Sequence, residues 1–249
     1  MRILVCIDDT DNLDSKGTGA HALGISGKIL AQKLGMPKFI SRHQLFVHDD
    51  IPYTSHNSAM CFAVDGVKSE DIISIKELCI DYLEKESAGG SDPGLCIVEL
   101  ETLKDEKELI RFGKKAKANV LTKKEAYEMA VRLGIHLSEH GGTGGGVIGA
   151  LAGAGLRLDG NDGRIKGKYF VGCQNEVLTA DEILRRTNIS EIREENGGVL
   201  GGQERIRLGE KVKAVLLDGR IVLLVERTEE TTKGRAIWET IPKPKVRKY

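Results

Sequence analysis

The chain of 249 residues carries 37 basic and 37 acidic side chains, so no global field draws it to nucleic acid and only a local patch stays open. Five scattered cysteines with no CxxC pair argue for buried thiols over a disulfide scaffold or structural zinc site, and no apolar run approaches the ~18 residues of a membrane span. Glycine at 30 residues against 4% aromatics favours an α/β or α+β enzyme rich in tight turns, expected to be soluble and cytoplasmic.

Residues 2–7 read as a buried strand, and "ILVCIDDTDN" (3–12) runs from it into a loop holding Asp8, Asp9 and Asp11. Two such charges about 5 Å apart repel by roughly 3 kcal/mol at an effective dielectric of about 20. Solvent, a shared proton or a bridging divalent cation offsets that repulsion. A solvated turn is the plain reading. Carboxylates at the end of a strand favour a metal–phosphate role, in which Mg²⁺ needs one or two of them plus phosphate oxygens and Asp14 adds a further oxygen donor. The stretch also matches the strand-Asp-x-Asp pattern of aspartate-nucleophile phosphatases, with Asp9 as nucleophile and Asp11 as acid/base. The later acidic pair that this alternative needs is not found in order, since Asp49-Asp50 falls too early.

A helix is expected over 17–35, with Gly17 and Gly19 at its start and Ala22, Ile25, Ile29, Leu23, Leu30 and Leu34 in a broad apolar stripe. His21 within it reads as a partly exposed neutral imidazole. A strand over 39–47 leads to the loop 48–58, flanked by His43, His48 and His56. A strand at 59–64, a helix opening at Ser69, a loop "AGGSDPG" (88–94), a strand at 95–100 and a helix over 105–118 follow. Thr122 and Glu125 form a capping box for a helix ending at Gly134. The segment 59–138 suits a ferredoxin-like unit of its own.

Residues 136–170 are the most unusual stretch. Gly141, Gly142, Thr143, Gly144, Gly145 and Gly146 stand between a short strand and a small-residue helix, where successive backbone N–H groups close on an anion. Gly149 and Gly153, one turn apart, allow very close packing. GxGxxG is present at Gly144, Gly146 and Gly149, but a dinucleotide fingerprint needs a longer strand, and the missing Lys-Ser/Thr ending excludes a Walker loop. Phosphate binding is favoured over packing alone, with His56 or His140 beside the phosphates. Farther on come a capping box at Thr179 and Glu182, two strands over 214–225 joined by Asp218-Gly219, and a basic, frayed tail "KPKVRKY".

"IDDTDN", "IPYTSHNSAMCFAV", "DPGLCIV" and "GGTGGGVIGALAGAGL" resemble, in this order and over most of residues 1–170, the amino-terminal core of the archaeal tRNA agmatidine synthetase family. The resemblance implies an ATP- and Mg²⁺-dependent enzyme with a kinase-like domain beside a ferredoxin-like one, which phosphorylates the anticodon cytidine of an isoleucine tRNA and attaches agmatine. Asp8, Asp9 and Asp11 match its metal–ATP motif, and Gly142, Gly144, Gly146 and Gly149 match its glycine-rich loop. The family's Cys-Thr-Thr-Tyr segment is here Gly19-Ala20-His21-Ala22, with Thr18 alone nearby and grouped with the nucleotide-binding residues. Its Pro-Trp-Lys-Thr-Arg loop is here Pro52-Tyr53-Thr54-Ser55-His56, without the two cations.

The expectation is thus a kinase-like nucleotide core from 1–58 and 139–175, a ferredoxin-like segment at 59–138 and a strand-rich region at 176–249. The chain is expected to transfer phosphoryl groups or ligate with ATP and Mg²⁺. Asp8, Asp9, Asp11 and His56 are its catalytic candidates, and the acceptor is a tRNA held with a helper protein or a small amine. A homo-oligomer is allowed. The competing class is a nucleotide-binding regulatory subunit without turnover. Weak intrinsic tRNA binding is expected, because the tail offers only Lys243, Lys245, Arg247 and Lys248 to phosphates.

Overall fold

A computed structural model describes residues 1–51, 57–232 and 235–249 and divides the chain into two compact units, Met1–Asp159 and Gly160–Tyr249. Unit 1 runs β1 (Ile3–Asp8), α1 (Thr18–Ala31), β2 (Met36–Gln44), β3 (Ser58–Asp65), α2 (Ile72–Glu86), β4 (Gly94–Glu99), α3 (Glu106–Lys115), α4 (Lys123–Leu133), β5 (His136–Glu139) and α5 (Gly146–Asp159). Its strands lie in the order β5-β4-β1-β3-β2, and every pair is antiparallel.

All six residues of β1 are buried because helices cover both faces of the sheet. Ile3, Val5 and Ile7 enter a core with Ile25 and Ile29 of α1 and Ile75 and Leu83 of α2. Leu4 and Cys6 point the other way, into a core with Leu109 of α3, Ala130 of α4 and Leu151 of α5. By the same period of two, Asp8 belongs to the α5 face. It ends the strand rather than opening the loop expected there.

Packing around α5 is so close that its glycines leave no room for side chains of their own. A Cβ on Gly94 would overlap the Gly146 peptide, and one on Gly155 would overlap the Leu109 carbonyl of α3. A Cβ on Gly153 would meet Cys6 Sγ at 2.6 Å and Ala59 Cβ at 2.7 Å. Apolar area is therefore buried without large side chains, which agrees with the scarcity of aromatics.

Several expectations are corrected here. The stripe of α1 is narrower than expected: Ala22, Ile25 and Ile29 are buried, while Leu23 and Leu30 face solvent. His21 is buried, at 1% exposure, with its ring edge-on to Tyr82 at 6.0 Å. The expected boundaries at 58 and 138 do not separate compact units, because β1 hydrogen-bonds to both β3 and β4 and so joins 1–58 and 59–138 in one sheet. Residues 160–175 fall in unit 2.

Unit 2 contains β6 (Arg164–Ile165), β7 (Val177–Thr179), α6 (Ala180–Arg186), β8 (Glu191–Glu194), β9 (Arg205–Arg207), β10 (Ala214–Leu217), β11 (Arg220–Thr232), β12 (Arg235–Thr240) and α7 (Lys243–Val246). The order is β6-β10-β11-β12-β9-β7, with β8 parallel to β11. Asp218 and Gly219, at φ 49° and 71°, make the two-residue turn between β10 and β11, as their types demand. The tail is not frayed: α7 buries Val246 against Val215, Val222, Leu224 and Ile241.

Candidate functional site

The acidic strand end and the glycine loop, remote in sequence, meet in unit 1. Asp8 lies against α5, where a Cβ on Gly149 would overlap its Oδ2 and one on Gly146 would stand 3.1 Å from its carbonyl oxygen. Glycine at 149 leaves the space that the Asp8 carboxylate fills. Burial, and then the charge of Asp9, push the Asp8 carboxyl up to about 8, against a hydrogen bond from the Asp9 backbone N–H. Asp9 sits at φ 50°, an uncommon conformation for a residue with a side chain, and its carboxyl rises to about 6 through burial and the charges of Asp92 and Asp11. Asp11 accepts a hydrogen bond from Thr18 Oγ1 at 2.5 Å, at the start of α1, and its charge still bears on both Asp8 and Asp9.

The loop between β5 and α5 is held by Asp92, the first residue of the "DPGLCIV" motif, to which the sequence attached no role of its own. Asp92 accepts hydrogen bonds from Thr143 N at 2.6 Å, from Thr143 Oγ1 and from Gly145 N at 3.4 Å, and its carbonyl accepts from Gly146 N at 3.2 Å. Burial alone would raise the Asp92 carboxyl, but these hydrogen bonds outweigh it and hold the group below the usual carboxylate range. A carboxylate is thus already seated on backbone amides of the kind expected to cradle phosphate. Gly142 and Gly144, at φ 54° and 76°, give the loop its left-handed turns. From the α4 side, Lys123 Nζ donates to Glu139 Oε2 and to the Thr143 carbonyl, both at 2.6 Å.

Asp8, Asp9, Gly142, Thr143, Gly144, Gly145, Gly146 and Gly149 are therefore brought together around Asp92, while Asp11 and Thr18 form a neighbouring pair. His56 lies outside the described residues. His140 is tied to Ser138 Oγ at 2.8 Å and to Glu84 at 3.6 Å, and burial pulls its imidazole down towards the neutral form. Asp92 stands in the loop 88–94 and at the head of the "DPGLCIV" motif, but no local pattern links it or Lys123 to the glycine loop.

Among the described residues no group of three or more His, Cys, Asp or Glu is arranged to hold a metal ion. Asp8, Asp9 and Asp11 therefore do not form a three-carboxylate cage. Mg²⁺ requires less, one or two carboxylates plus phosphate oxygens. Burial first, and the neighbouring carboxylates after it, raise both Asp8 and Asp9.

If Asp92 fixes the loop, Asp92→Ala should lower the melting temperature of unit 1. The charge-assisted bonds are partly replaced by water, so the expected loss is about 1 kcal/mol. Thermal denaturation reads this directly, and an unchanged midpoint would mean that the glycines alone set the loop.

No protein-family model and no curated protein matches this chain. Solved structures do. A complex of TiaS with its isoleucine tRNA and ATP is 28% identical at a TM-score of 0.54, over 62% of this chain and 36% of that chain. A tRNA fluorescent labeling enzyme gives the same four values. Apo TiaS, an agmatidine synthetase acting on that isoleucine tRNA, is 26% identical at a TM-score of 0.54, over 62% of this chain and 35% of that one. The likeness fits a short relative of the TiaS core, and the chain spans about a third of the length of these structures.

Proposed function

We propose that this short relative of the TiaS core is an ATP-dependent RNA-modifying enzyme whose first step is phosphoryl transfer. The observation that carries this is the meeting of Asp8 and Asp9 with the 142–146 loop on a scaffold similar to an enzyme solved with ATP and tRNA. Phosphoryl transfer asks mainly for positioning and charge stabilisation, and these residues are suited to both. The loop amides of Thr143, Gly145 and Gly146 orient the phosphate chain as Asp92 swings aside, and Lys123 stands beside them with its ammonium group. Asp8 and Asp9 would hold Mg²⁺, which when bound supplies charge neutralisation to the phosphate oxygens. Asp11, fixed by Thr18, is left to orient the acceptor hydroxyl or amine.

The finer architecture belongs to the same proposal. The run β1-α1-β2-β3-α2-β4 with sheet order β4-β1-β3-β2 supports a ferredoxin-like reading over residues 3–99, rather than over 59–138. The glycine loop with α5 packs on its outer face as the kinase-like part.

The test is transfer of label from γ-³²P-ATP with Mg²⁺ present, to bulk tRNA on the one hand and to agmatine or water on the other. Label on tRNA, or its release in step with tRNA, is expected. ATP binding by calorimetry with no turnover towards any acceptor would replace this reading with that of a nucleotide-binding regulatory subunit.

A further inference from the structure

Unit 2 gathers positive charge around a bare aromatic ring, although the chain as a whole is neutral. Phe170 is 92% exposed. It ends the segment 166–170, which runs beside 211–213: Tyr169 N donates to the Val212 carbonyl at 3.2 Å, and Lys213 Nζ donates to the Gly167 carbonyl. Lys168, Lys211 and Lys243 are exposed on the same region. The charges of Lys168, Arg164, Lys166 and Lys243 all bear on Lys213 and, together with its burial, depress its ammonium pKa. Glu210, paired with Lys211 at 3.0 Å, lies within the fields of Lys168 and Lys243, and Glu176 accepts from Cys173 N at 2.8 Å in the loop after Phe170. Lys168, Lys211, Lys213 and Lys243 outnumber these two carboxylates.

We infer that this face of unit 2 binds single-stranded RNA, with Phe170 stacking on a base and Lys168, Lys213 and Lys243 contacting phosphates. A lone phenyl ring offers a π-face that any unstacked base accepts, and flanking cations track the backbone. Gly172, Cys173 and Gln174, which follow Phe170 in the exposed loop, give it no apolar skirt of the kind a bilayer-inserting residue needs. The tail expected to supply the cations is partly engaged elsewhere: Lys245 pairs with Glu195 and Glu226, and Lys248 lies 3.9 Å from Glu195. The face belongs to unit 2 and the proposed phosphoryl-transfer site to unit 1, and the two proposals stand or fall separately.

Fluorescence anisotropy of the full chain with a labelled oligouridylate of about 12 nucleotides tests this. Three phosphate contacts on a single strand predict a slope of log K against log salt of about −2. Lys168→Gln with Lys243→Gln should flatten it by about 1.4, at roughly 0.7 per contact. Phe170→Ala should weaken binding about tenfold without changing the slope, and Phe170→Trp should restore it. ATP affinity by calorimetry should stay unchanged in all these variants, so loss of RNA binding and loss of the ATP site are read apart. No binding at about 50 mM salt overturns the proposal. So does binding that inorganic polyphosphate abolishes and Phe170→Ala leaves intact, which marks a charge-only surface. Binding to phosphatidylserine vesicles with none to the oligonucleotide overturns it in favour of a lipid surface.

Discussion

Asp8→Asn is expected to make unit 1 more stable at pH 8 while reducing ATP turnover by at least about 100-fold, the loss typical when a group stabilising transition-state charge is removed. The stability side follows from linkage. In the unfolded chain Asp8 titrates near 3.9, whereas in the fold its carboxyl titrates at about 8. Between those values the folded state keeps a proton that the unfolded chain releases, so the unfolded state binds fewer protons and stability falls as pH rises. This contribution is complete below about pH 4 and lost by the time pH passes about 8. An isosteric amide carries no such charge, so the variant should lack that slope. A gain of about 2 kcal/mol at pH 8, less than the full shift because Asp8 and Asp9 titrate together, corresponds to a rise of roughly 4–8 °C. Melting curves between pH 5 and 8 decide it. Parallel curves for wild type and variant would mean that the Asp8 carboxylate is solvated after all.

Gly146→Ala and Gly145→Ala, neighbours in the same loop, should behave in opposite ways. A Cβ on Gly146 would overlap the Asp92 carbonyl and stand 2.8 Å from Gly94 N, both backbone atoms that yield only if β4 or α5 moves. The expected cost is about 3 kcal/mol, at the upper end of overpacking, or a fall of roughly 6–12 °C. Gly145 has no positive φ, and its Cβ would lie 3.3 Å from Asp92 Oδ2, a side-chain atom that needs to give by only a few tenths of an ångström while keeping its bond from Thr143 Oγ1. Its stability should change by less than about 0.5 kcal/mol. Because the fold survives, Gly145→Ala is the variant in which ATP affinity can be read, and calorimetry should show about a tenfold loss if the amides orient phosphate. Equal affinity would leave the run a packing device.

Local signals were legible in the sequence where the chemistry is local. Thr122 and Thr179 each accept from the backbone three residues on, with Glu125 and Glu182 answering, and Gly134 closes α4 at φ 76°. The Asp218-Gly219 turn is likewise announced by its own residue types, both at positive φ. The glycine loop was legible as a loop, but its anchor was not, because Asp92 reaches residues 143–146 only through the pairing of β4 with β5. The burial of Asp8 was hidden for a related reason. Its place on the α5 face follows from the alternation along β1, yet nothing local says that both faces are covered or that Gly149 leaves room. Leu23 and Leu30 show the converse error, apolar residues counted into the stripe although each lies about 100° round the helix from the buried Ala22 and Ile29.

The glycines of α5 also bear on how this helix finds its seat. Side chains usually fix the register between helix and sheet by fitting knobs into holes. Here the contacts at Gly94, Gly113, Gly146, Gly149, Gly153 and Gly155 are places where a side chain is missing. Sliding α5 by one residue would bring Val147 or Leu156 against backbone, and Ala150 or Ala154 against side chains of the sheet, with no gap to receive it. The alignment is thus specified by vacancies, one of which is filled by the carboxylate of Asp8. An error in that register would leave the carboxylate no place to go, so correct docking of α5 and formation of the acidic site are a single event.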